Sequence, residues 1–146
     1  MIVLDTNVVS EPLKLKPDVD VMRWLAVQAP ESLFITTITM AKMFTGVEMM
    51  PNGRKRDALS AALKEQVLPL FSGRVLDFNV ASAKAFSKVI VAANAVGNDI
   101  DFADAAIAAI AMTHGFHLAT RNVRDFRGVQ VEILNPSPQA SQGSAE

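Results

Sequence analysis

Five short apolar segments along the chain have the length and composition of β-strands. They lie at 1–5, 33–36, 74–78, 117–120 and 129–134. Longer segments with apolar residues at helical spacing separate them, at 19–28, 37–50, 55–71, 80–97 and 101–115. Strands that alternate with helices imply a parallel sheet with helices on both faces. The pattern therefore predicts an α/β fold around a central parallel sheet of about five strands.

A single domain accounts for nearly the whole pattern. The chain has 146 residues, which is enough to bury a core without disulfides or metal clips. We predict one domain over 1–136 and a flexible tail over 137–146, because the end of the chain is rich in Ser, Pro, Gln and Gly and has almost nothing to bury. Pro51 and Gly53 predict a turn between two helices that form a hairpin.

Composition narrows the classes of function. No apolar run reaches the roughly 18 residues of a membrane span, and the start of the chain lacks the features of a secretory signal, so we expect a cytoplasmic protein. Cysteine is absent, so any metal site must use oxygen or histidine ligands. Lys and Arg number 14 against 15 Asp and Glu, so binding of nucleic acid would need local basic patches rather than a global field.

The first strand ends in a carboxylate, Asp5, within the motif LDTN. Ligands of open parallel sheets collect at the carboxyl ends of the strands, which makes Asp5 a candidate site residue. It could also be the N-cap of a short helix over 8–13. After the fourth strand, Asn122 and Asp125 could either cap a helical turn or serve a site. These residues alone leave both alternatives open.

Asp104 lies on an apolar face of the last long predicted helix. It shares this face with Ile107, Ala108 and Ala111, so we expect it to point towards the sheet. A carboxylate buried there without a partner would be strongly destabilising. The position therefore predicts a nearby cation or a set of hydrogen-bond donors. Asp101, three residues earlier, is the expected N-cap of the helix.

Four motifs in chain order resemble PIN-domain proteins of the VapC and FitB group. They are MIVLDTNVVSEP, DAAIAAIAMTHG, LATRNVRDF and VEILNP, and the likeness runs from residue 1 to about 136. The resemblance implies a three-layer PIN-like fold and the toxin of a type II toxin–antitoxin system, an endoribonuclease that depends on Mg2+ or Mn2+. It also implies a homodimer, a cognate antitoxin partner that can form a hetero-oligomer with it, and tRNA or another structured RNA as substrate.

Carried over residue by residue, the resemblance gives Asp5 and Asp104 as metal ligands. The family's second acidic residue is a Glu early in the helix after the second strand, and here Lys42 occupies that position. Glu48 cannot replace it, because six residues place it about 120° around the helix from Lys42. The fourth acidic position falls on Asn122, with Asp125 close by.

Lys42 changes what the site is expected to do. At about 4 Å and an effective dielectric near 20, its attraction to each aspartate is worth about 4 kcal/mol before desolvation. We therefore expect this chain to bind Mg2+ poorly and to cleave RNA slowly or not at all. Alternatively, the Lys42 stem carries its charge towards water and leaves Asp5 and Asp104 to hold a metal.

A module that binds antitoxin or RNA without cutting is the competing function. An aspartate-based phosphoryl transfer at Asp5 is disfavoured, because Asn7 stands where a second Asp is needed.

Two further patterns concern partners. Arg121, Arg124 and Arg127 lie beside the predicted site and are candidates for phosphate contacts, whereas the basic run at 54–56 fits a solvated face. The helix over 37–50 is crowded with Met and Phe, more than one inward face would take up, so part of it could lie at a subunit or antitoxin interface or simply in the core.

Overall fold

The computed structural model describes residues 1–138, and its centre is one sheet of five parallel strands. The strands are β1 (Ile2–Leu4), β2 (Leu33–Thr36), β3 (Val75–Leu76), β4 (His117–Ala119) and β5 (Ile133–Leu134). Their spatial order is β3-β2-β1-β4-β5, and every neighbouring pair is parallel. The α/β class and the five-stranded parallel sheet predicted from the sequence are confirmed.

Among the described residues, six α-helices lie between the strands. They are α1 (Thr6–Val9), α2 (Val19–Ala26), α3 (Thr37–Glu48), α4 (Arg54–Ala62), α5 (Val80–Ala95) and α6 (Phe102–His114). The prediction of one helix over 8–13 is wrong, because α1 ends before Pro12 and a 3-10 turn at Glu11–Leu13 follows. The helix predicted over 55–71 is also interrupted. It continues as a π-helical turn at Leu63–Val67 and a 3-10 turn at Leu68–Phe71, since Pro69 cannot continue an α-helical hydrogen-bond pattern.

The sheet separates two apolar cores, which gives the molecule three layers. Successive strand residues point to opposite faces, so Leu4 packs with α1 to α4 while Val3 packs with α5 and α6. Helix α6 is buried along most of its length, and its five buried alanines at 105, 106, 108, 109 and 111 let α5 approach it closely. The small side chains of α6 therefore allow the layer formed by α5 and α6 to pack closely on one face of the sheet.

Helices α3 and α4 form the predicted hairpin. Arg56 of α4 donates a hydrogen bond to the Val47 carbonyl oxygen at 3.2 Å and pairs with the Glu48 carboxylate at 3.0 Å. On α3, Met43 and Val47 are buried in the core, whereas Met49, which directly follows the helix, is 81% exposed. The Met-rich helix thus supplies both core residues and an exposed apolar surface.

The first residue of the predicted tail, Ser137, is buried and hydrogen-bonded. Ser137 is 2% exposed, and its N–H donates to the Asn135 side chain at 2.9 Å. The rest of the predicted tail, from 139 onwards, lies outside the described residues, so the boundary at 136 stays a prediction. Across residues 1–138, no helix is long and apolar enough to cross a membrane.

Gly128, in the turn before β5, provides a sharp test of this packing. Its φ is +82°, and a Cβ added there would lie 2.6 Å from the Val96 side chain and 2.8 Å from the Ala92 carbonyl oxygen. Gly73 has a similar φ of +76° but open space around it. We expect Gly73→Ala to lower the free energy of unfolding by about 1 kcal/mol through backbone strain alone. Gly128→Ala should cost at least about 1 kcal/mol more, because strain and overlap add.

Chemical denaturation of the two variants beside the unaltered protein measures both costs. Equal losses of stability in Gly73→Ala and Gly128→Ala would contradict the close approach of this turn to α5.

Candidate functional site

Asp5 lies at the carboxyl end of the central strand β1 and is 3% exposed. One carboxylate oxygen accepts a hydrogen bond from the Thr6 N–H at 2.8 Å, so Asp5 caps α1. The other oxygen accepts a hydrogen bond from the Thr120 hydroxyl at 2.8 Å. Asp5 therefore has both predicted roles. One oxygen caps α1, and the other faces the residues after β4, where a site residue is expected.

Thr120 organises the polar residues around Asp5. Its hydroxyl donates to Asp5 and accepts from the Asn7 side-chain amide at 3.4 Å and from the Asn122 N–H at 3.1 Å. Asn7 in turn accepts a hydrogen bond from the Arg121 N–H at 3.2 Å. The segment after β1 is therefore cross-linked to the segment after β4. Thr120 is a site residue whose contacts the sequence did not predict, although its place directly after a strand is a signal for it.

Asp104 lies in the first turn of α6 and is half-buried. Asp101 is the N-cap of this helix, as predicted, since its carboxylate accepts a hydrogen bond from the Asp104 N–H at 2.8 Å. The predicted stripe of Ile107, Ala108 and Ala111 is fully buried behind it. Asp104 therefore lies at the half-buried N-terminal end of a helix face that is otherwise fully buried.

The two aspartates share one electrostatic environment. Burial raises the pKa of Asp104 to about 6, and the neighbouring carboxylates Asp101, Asp5 and Asp125 add to this rise. Burial also raises the pKa of Asp5 above its ordinary value, while the hydrogen bonds from Thr120 and Thr6 oppose the rise. Because the charge of Asp5 raises the pKa of Asp104, the two predicted ligands lie close enough together to form one acidic pair.

Lys42 lies on the exposed side of α3, close enough for its positive charge to lower the pKa of both Asp5 and Asp104. In neither case is it the main influence, since burial raises both pKa values more than Lys42 lowers them. Across residues 1–138, Lys42 forms no ion pair within 4.0 Å. The ammonium is therefore a neighbouring cation of the acidic pair rather than a contact partner. Glu48 is directed elsewhere, because it pairs with Arg56.

Asn122 directly precedes the 3-10 turn Val123–Phe126, and Asp125 lies within it. The Asn122 side chain makes no capping hydrogen bond, and the turn is closed by the Asp125 N–H, which donates to the Asn122 carbonyl oxygen at 3.0 Å. Asp125 is exposed, yet its charge raises the pKa of both Asp5 and Asp104. The alternative in which the Asn122 side chain caps this turn is therefore wrong, and both residues lie at the rim of the acidic pair.

Arg121 does not have the position expected for a phosphate contact. Its guanidinium bridges Glu11 at 2.9 Å and Asp18 at 3.1 Å, and Glu11 also pairs with Lys14 at 2.9 Å. Glu11 is 1% exposed, and it also accepts the Asp18 N–H at 2.8 Å. These donors outweigh the effect of burial and hold the pKa of Glu11 below its usual value. Sequence reasoning missed Glu11; its place next to Pro12 in a polar loop gave no sign that it would be buried.

A Mg2+ ion at the acidic pair would need several oxygen ligands at octahedral geometry. Asp5 and Asp104 supply two carboxylates, and an ammonium stands at the third position. Within residues 1–138, no three His, Asp or Glu side chains form a group that could hold a metal ion. The donors as they stand do not fit a Mg2+ site built on three carboxylates.

The geometry defines an α/β protein whose acidic pair lies at the carboxyl edge of a parallel sheet, where ligands of such sheets bind. The PIN domain family matches residues 2–132. The chain belongs to the PIN-domain family, and the resemblance found in the sequence is confirmed.

The relatives cover nearly the whole chain. The chain is 40% identical over 136 residues to plasmid stability protein StbB of Pseudomonas syringae pv. tomato, covering 93% of this chain and 98% of that protein. It is 40% identical to VapC ribonuclease Y4jK of Sinorhizobium fredii, with 93% and 97% covered. It is 38% identical to toxin FitB of Neisseria gonorrhoeae, with 93% and 98% covered.

Solved structures agree with this assignment. The structure of FitAB bound to an IR36 DNA fragment matches with a TM-score of 0.89 at 38% identity, over 93% of this chain and 95% of that chain. The crystal structure of VapBC2 from Rickettsia felis bound to a promoter DNA fragment matches with a TM-score of 0.73 at 20% identity, over 92% of this chain and 98% of that chain, which supports the fold alone.

The raised pKa of Asp104 predicts how stability changes with pH. The folded-state pKa of about 6 lies above the ordinary value of 3.8, so the folded protein holds this proton more tightly than the unfolded chain. The contribution of Asp104 to the free energy of unfolding therefore falls as the pH rises from about 4 to about 6. We expect Asp104→Asn to be more stable than the unaltered protein by about 1 kcal/mol at pH 8, and the difference to vanish near pH 4.

Urea unfolding at a series of pH values measures this difference, with the exposed carboxylate variant Asp77→Asn as the control. A constant stability difference between Asp104→Asn and the unaltered protein across this range would contradict the predicted pKa.

The ion pairs of Arg121 predict a large effect on stability. Arg121→Met would leave Glu11 buried with one charged partner fewer and would release Asp18, which caps α2. Because removing one partner of a buried pair strands the other, we expect a loss of about 2–4 kcal/mol in thermal or urea unfolding. Arg124→Met, at an exposed position in the same segment, should change stability by less than about 0.5 kcal/mol. Similar small losses in both variants would show that Arg121 does not anchor this loop.

Proposed function

We propose that this chain is the toxin component of a type II toxin–antitoxin system, with an endoribonuclease site whose cleavage is impaired by Lys42. The observation that carries the proposal is the position of Lys42, whose charge acts on both Asp5 and Asp104. The toxin and ribonuclease assignments are supported by FitB and the VapC ribonuclease of Sinorhizobium fredii, which match the chain almost end to end. RNA, as tRNA or another structured RNA, is the proposed substrate.

Lys42 opposes a divalent cation in two ways. Its ammonium repels the cation, and it stands where a carboxylate would supply a further oxygen ligand. Its exposure allows water and salt to screen the repulsion, so the missing oxygen ligand is the larger effect. We propose that Mg2+ or Mn2+ would bind Asp5 and Asp104 firmly only when a carboxylate replaces Lys42.

The chain's own residues would orient the acidic pair. Thr120 and the Thr6 N–H fix both oxygens of Asp5, and the first turn of α6 fixes Asp104. Carboxylates held close together repel each other when no cation is bound, and this repulsion adds to the effect of burial, which raises the pKa of Asp104 to about 6. The acidic pair therefore lowers the stability of the fold and attracts a cation. Lys42 supplies part of the positive charge from within the chain.

An antitoxin is the proposed partner, and FitB, at 38% identity, has been solved as FitAB. A groove of about 480 Å3 between α2 and the turn at Leu68–Phe71 offers a mainly apolar surface that suits a helix of such a partner. Its lining includes Met22, Leu25, Val67 and Leu70. We also propose a homodimer, for which the exposed apolar residues of α3 are available.

A second candidate function is a binding module that holds antitoxin or RNA without cleaving it. Lys42 is the observation that favours it, because an ammonium stands where a third carboxylate would be needed, and within residues 1–138 no group of three His, Asp or Glu side chains could hold a metal ion. The two candidates differ in one property: only an impaired nuclease regains cleavage when the carboxylate is restored.

The deciding experiment is the variant Lys42→Glu, assayed for Mg2+ and Mn2+ binding by calorimetry and for cleavage of tRNA and other structured RNA. We expect metal affinity and cleavage to rise by about 10–100-fold, because the donor set gains a third carboxylate. Without metal, the pKa of Asp104 should rise above about 6, since another negative charge joins the pair.

Lys88→Glu is the matched control, because it makes the same change of charge on the exposed side of α5, across the sheet. Asp104→Asn in the Lys42→Glu background should abolish the gain. If Lys42→Glu binds metal no better than Lys88→Glu and neither cleaves RNA, the nuclease assignment fails and the binding module is the better account.

A further inference from the structure

A second groove adjoins the acidic pair on the side of α3. It has a volume of about 330 Å3 and lies between α1, α3 and the α4 segment. Thr6, which follows Asp5 in the chain, lines one end, and Lys42 lines the wall. The groove therefore borders the acidic pair, because Thr6 directly follows Asp5 and the charge of Lys42 acts on both Asp5 and Asp104.

The lining of this groove has the character of a site for an anion with an apolar part. Two ammonium groups, Lys14 and Lys42, and two hydroxyl groups, Thr6 and Ser10, lie among its lining residues, and none of the described residues that line it is acidic. The floor is apolar, formed by Leu13, Met43, Val47, Leu59 and Leu63. Lys14 pairs with Glu11, but Glu11 is buried, so a ligand in the groove meets the ammonium and not the carboxylate.

Gly46 provides an independent observation. It lies inside α3, where glycine lowers helix stability by roughly 1 kcal/mol relative to alanine. It does not have a positive φ, and a Cβ built on it meets no atom within 4 Å. Neither the backbone conformation nor the packing of the fold requires glycine here. Since Gly46 lines the groove, its missing side chain leaves room for a ligand to approach the helix.

We infer that this groove binds one nucleotide of a single RNA strand, the one next to the phosphodiester that lies at the acidic pair. Its phosphate contacts Lys42 and Lys14, and its base lies on the apolar floor beside Gly46. The inference rests on the proposed RNA substrate. The volume is at the lower end of the range of about 300–1,000 Å3 for ligand pockets, which suits one nucleotide better than a helix of a protein partner. The absence of aromatic residues from the described lining predicts contact with any base rather than stacking on a chosen one.

This assignment gives Lys42 a second effect. The same ammonium that opposes a metal ion at the acidic pair attracts the neighbouring phosphate of the RNA. A chain with Lys42 is then expected to hold RNA at this edge while cleaving it poorly.

The test is the affinity for a short fluorescein-labelled single-stranded RNA, measured by anisotropy in EDTA so that no cleavage can occur. We expect Gly46→Leu, which fills the groove, to weaken binding by about tenfold. The variant should remain folded, because leucine favours a helix more than glycine does and the space around position 46 is open. Ser87→Leu, on the exposed side of α5 across the sheet, is the matched control and should bind RNA as the unaltered protein does.

The salt dependence of the same binding tests the phosphate contacts. Lys14→Met and Lys42→Met should each reduce the slope of log affinity against log salt by about 0.7, whereas Lys88→Met should leave it unchanged. Unchanged RNA affinity in Gly46→Leu, or no binding of RNA by the unaltered protein, would overturn the inference. If Gly46→Leu instead retains RNA but no longer forms a complex with the antitoxin, the occupant is protein and the inference is wrong.

Failure of the nuclease proposal would look different. In that case Lys42→Glu would not cleave RNA with metal present, while the loss of RNA affinity in Gly46→Leu, measured without metal, would remain.

Discussion

The burial of the Asp5 carboxylate at the end of the central strand is the constraint around which this edge of the molecule is built. An ionised carboxylate at 3% exposure requires donors for both oxygens. The Thr6 N–H meets one oxygen, which fixes the start of α1, and the Thr120 hydroxyl meets the other, which fixes the end of β4. Burial raises the pKa of Asp5 despite these two hydrogen bonds, so a nearby positive charge stabilises the ionised carboxylate at the centre of the sheet edge.

A second buried carboxylate holds the surrounding loops. Glu11 accepts a hydrogen bond from the Asp18 N–H and forms ion pairs with Lys14 and Arg121. Arg121 also forms an ion pair with Asp18, the N-cap of α2. This cluster ties the segment after α1 to the segment after β4, the same two segments that Thr120 joins near Asp5. The loops of the site therefore have two independent cross-links, one made of hydroxyl and amide groups and one of ion pairs.

Lys42 connects the chemistry of the site to its neighbouring groove. It lies between the acidic pair, where it lowers the pKa of Asp5 and Asp104, and the groove, whose wall it forms with Lys14. One change of charge at this position thus acts on two properties in opposite directions: it weakens the attraction for a divalent cation and strengthens that for a phosphate. Under the proposed function, a PIN domain with this residue would hold RNA more than it would cut it.

The sequence by itself determined the α/β class, the five parallel strands and the N-cap at Asp101, because strand and helix periodicity and capping are local properties of the chain. The pairing of Asp5 with Asp104 came from the resemblance to PIN-domain proteins rather than from local periodicity. Only the tertiary structure decided that Thr120 binds Asp5, that Arg121 turns inward to Glu11, and that Gly46 borders a groove. These contacts join residues up to 115 positions apart. Whether a polar side chain is buried among such partners depends on how the loops pack, which no local pattern specifies.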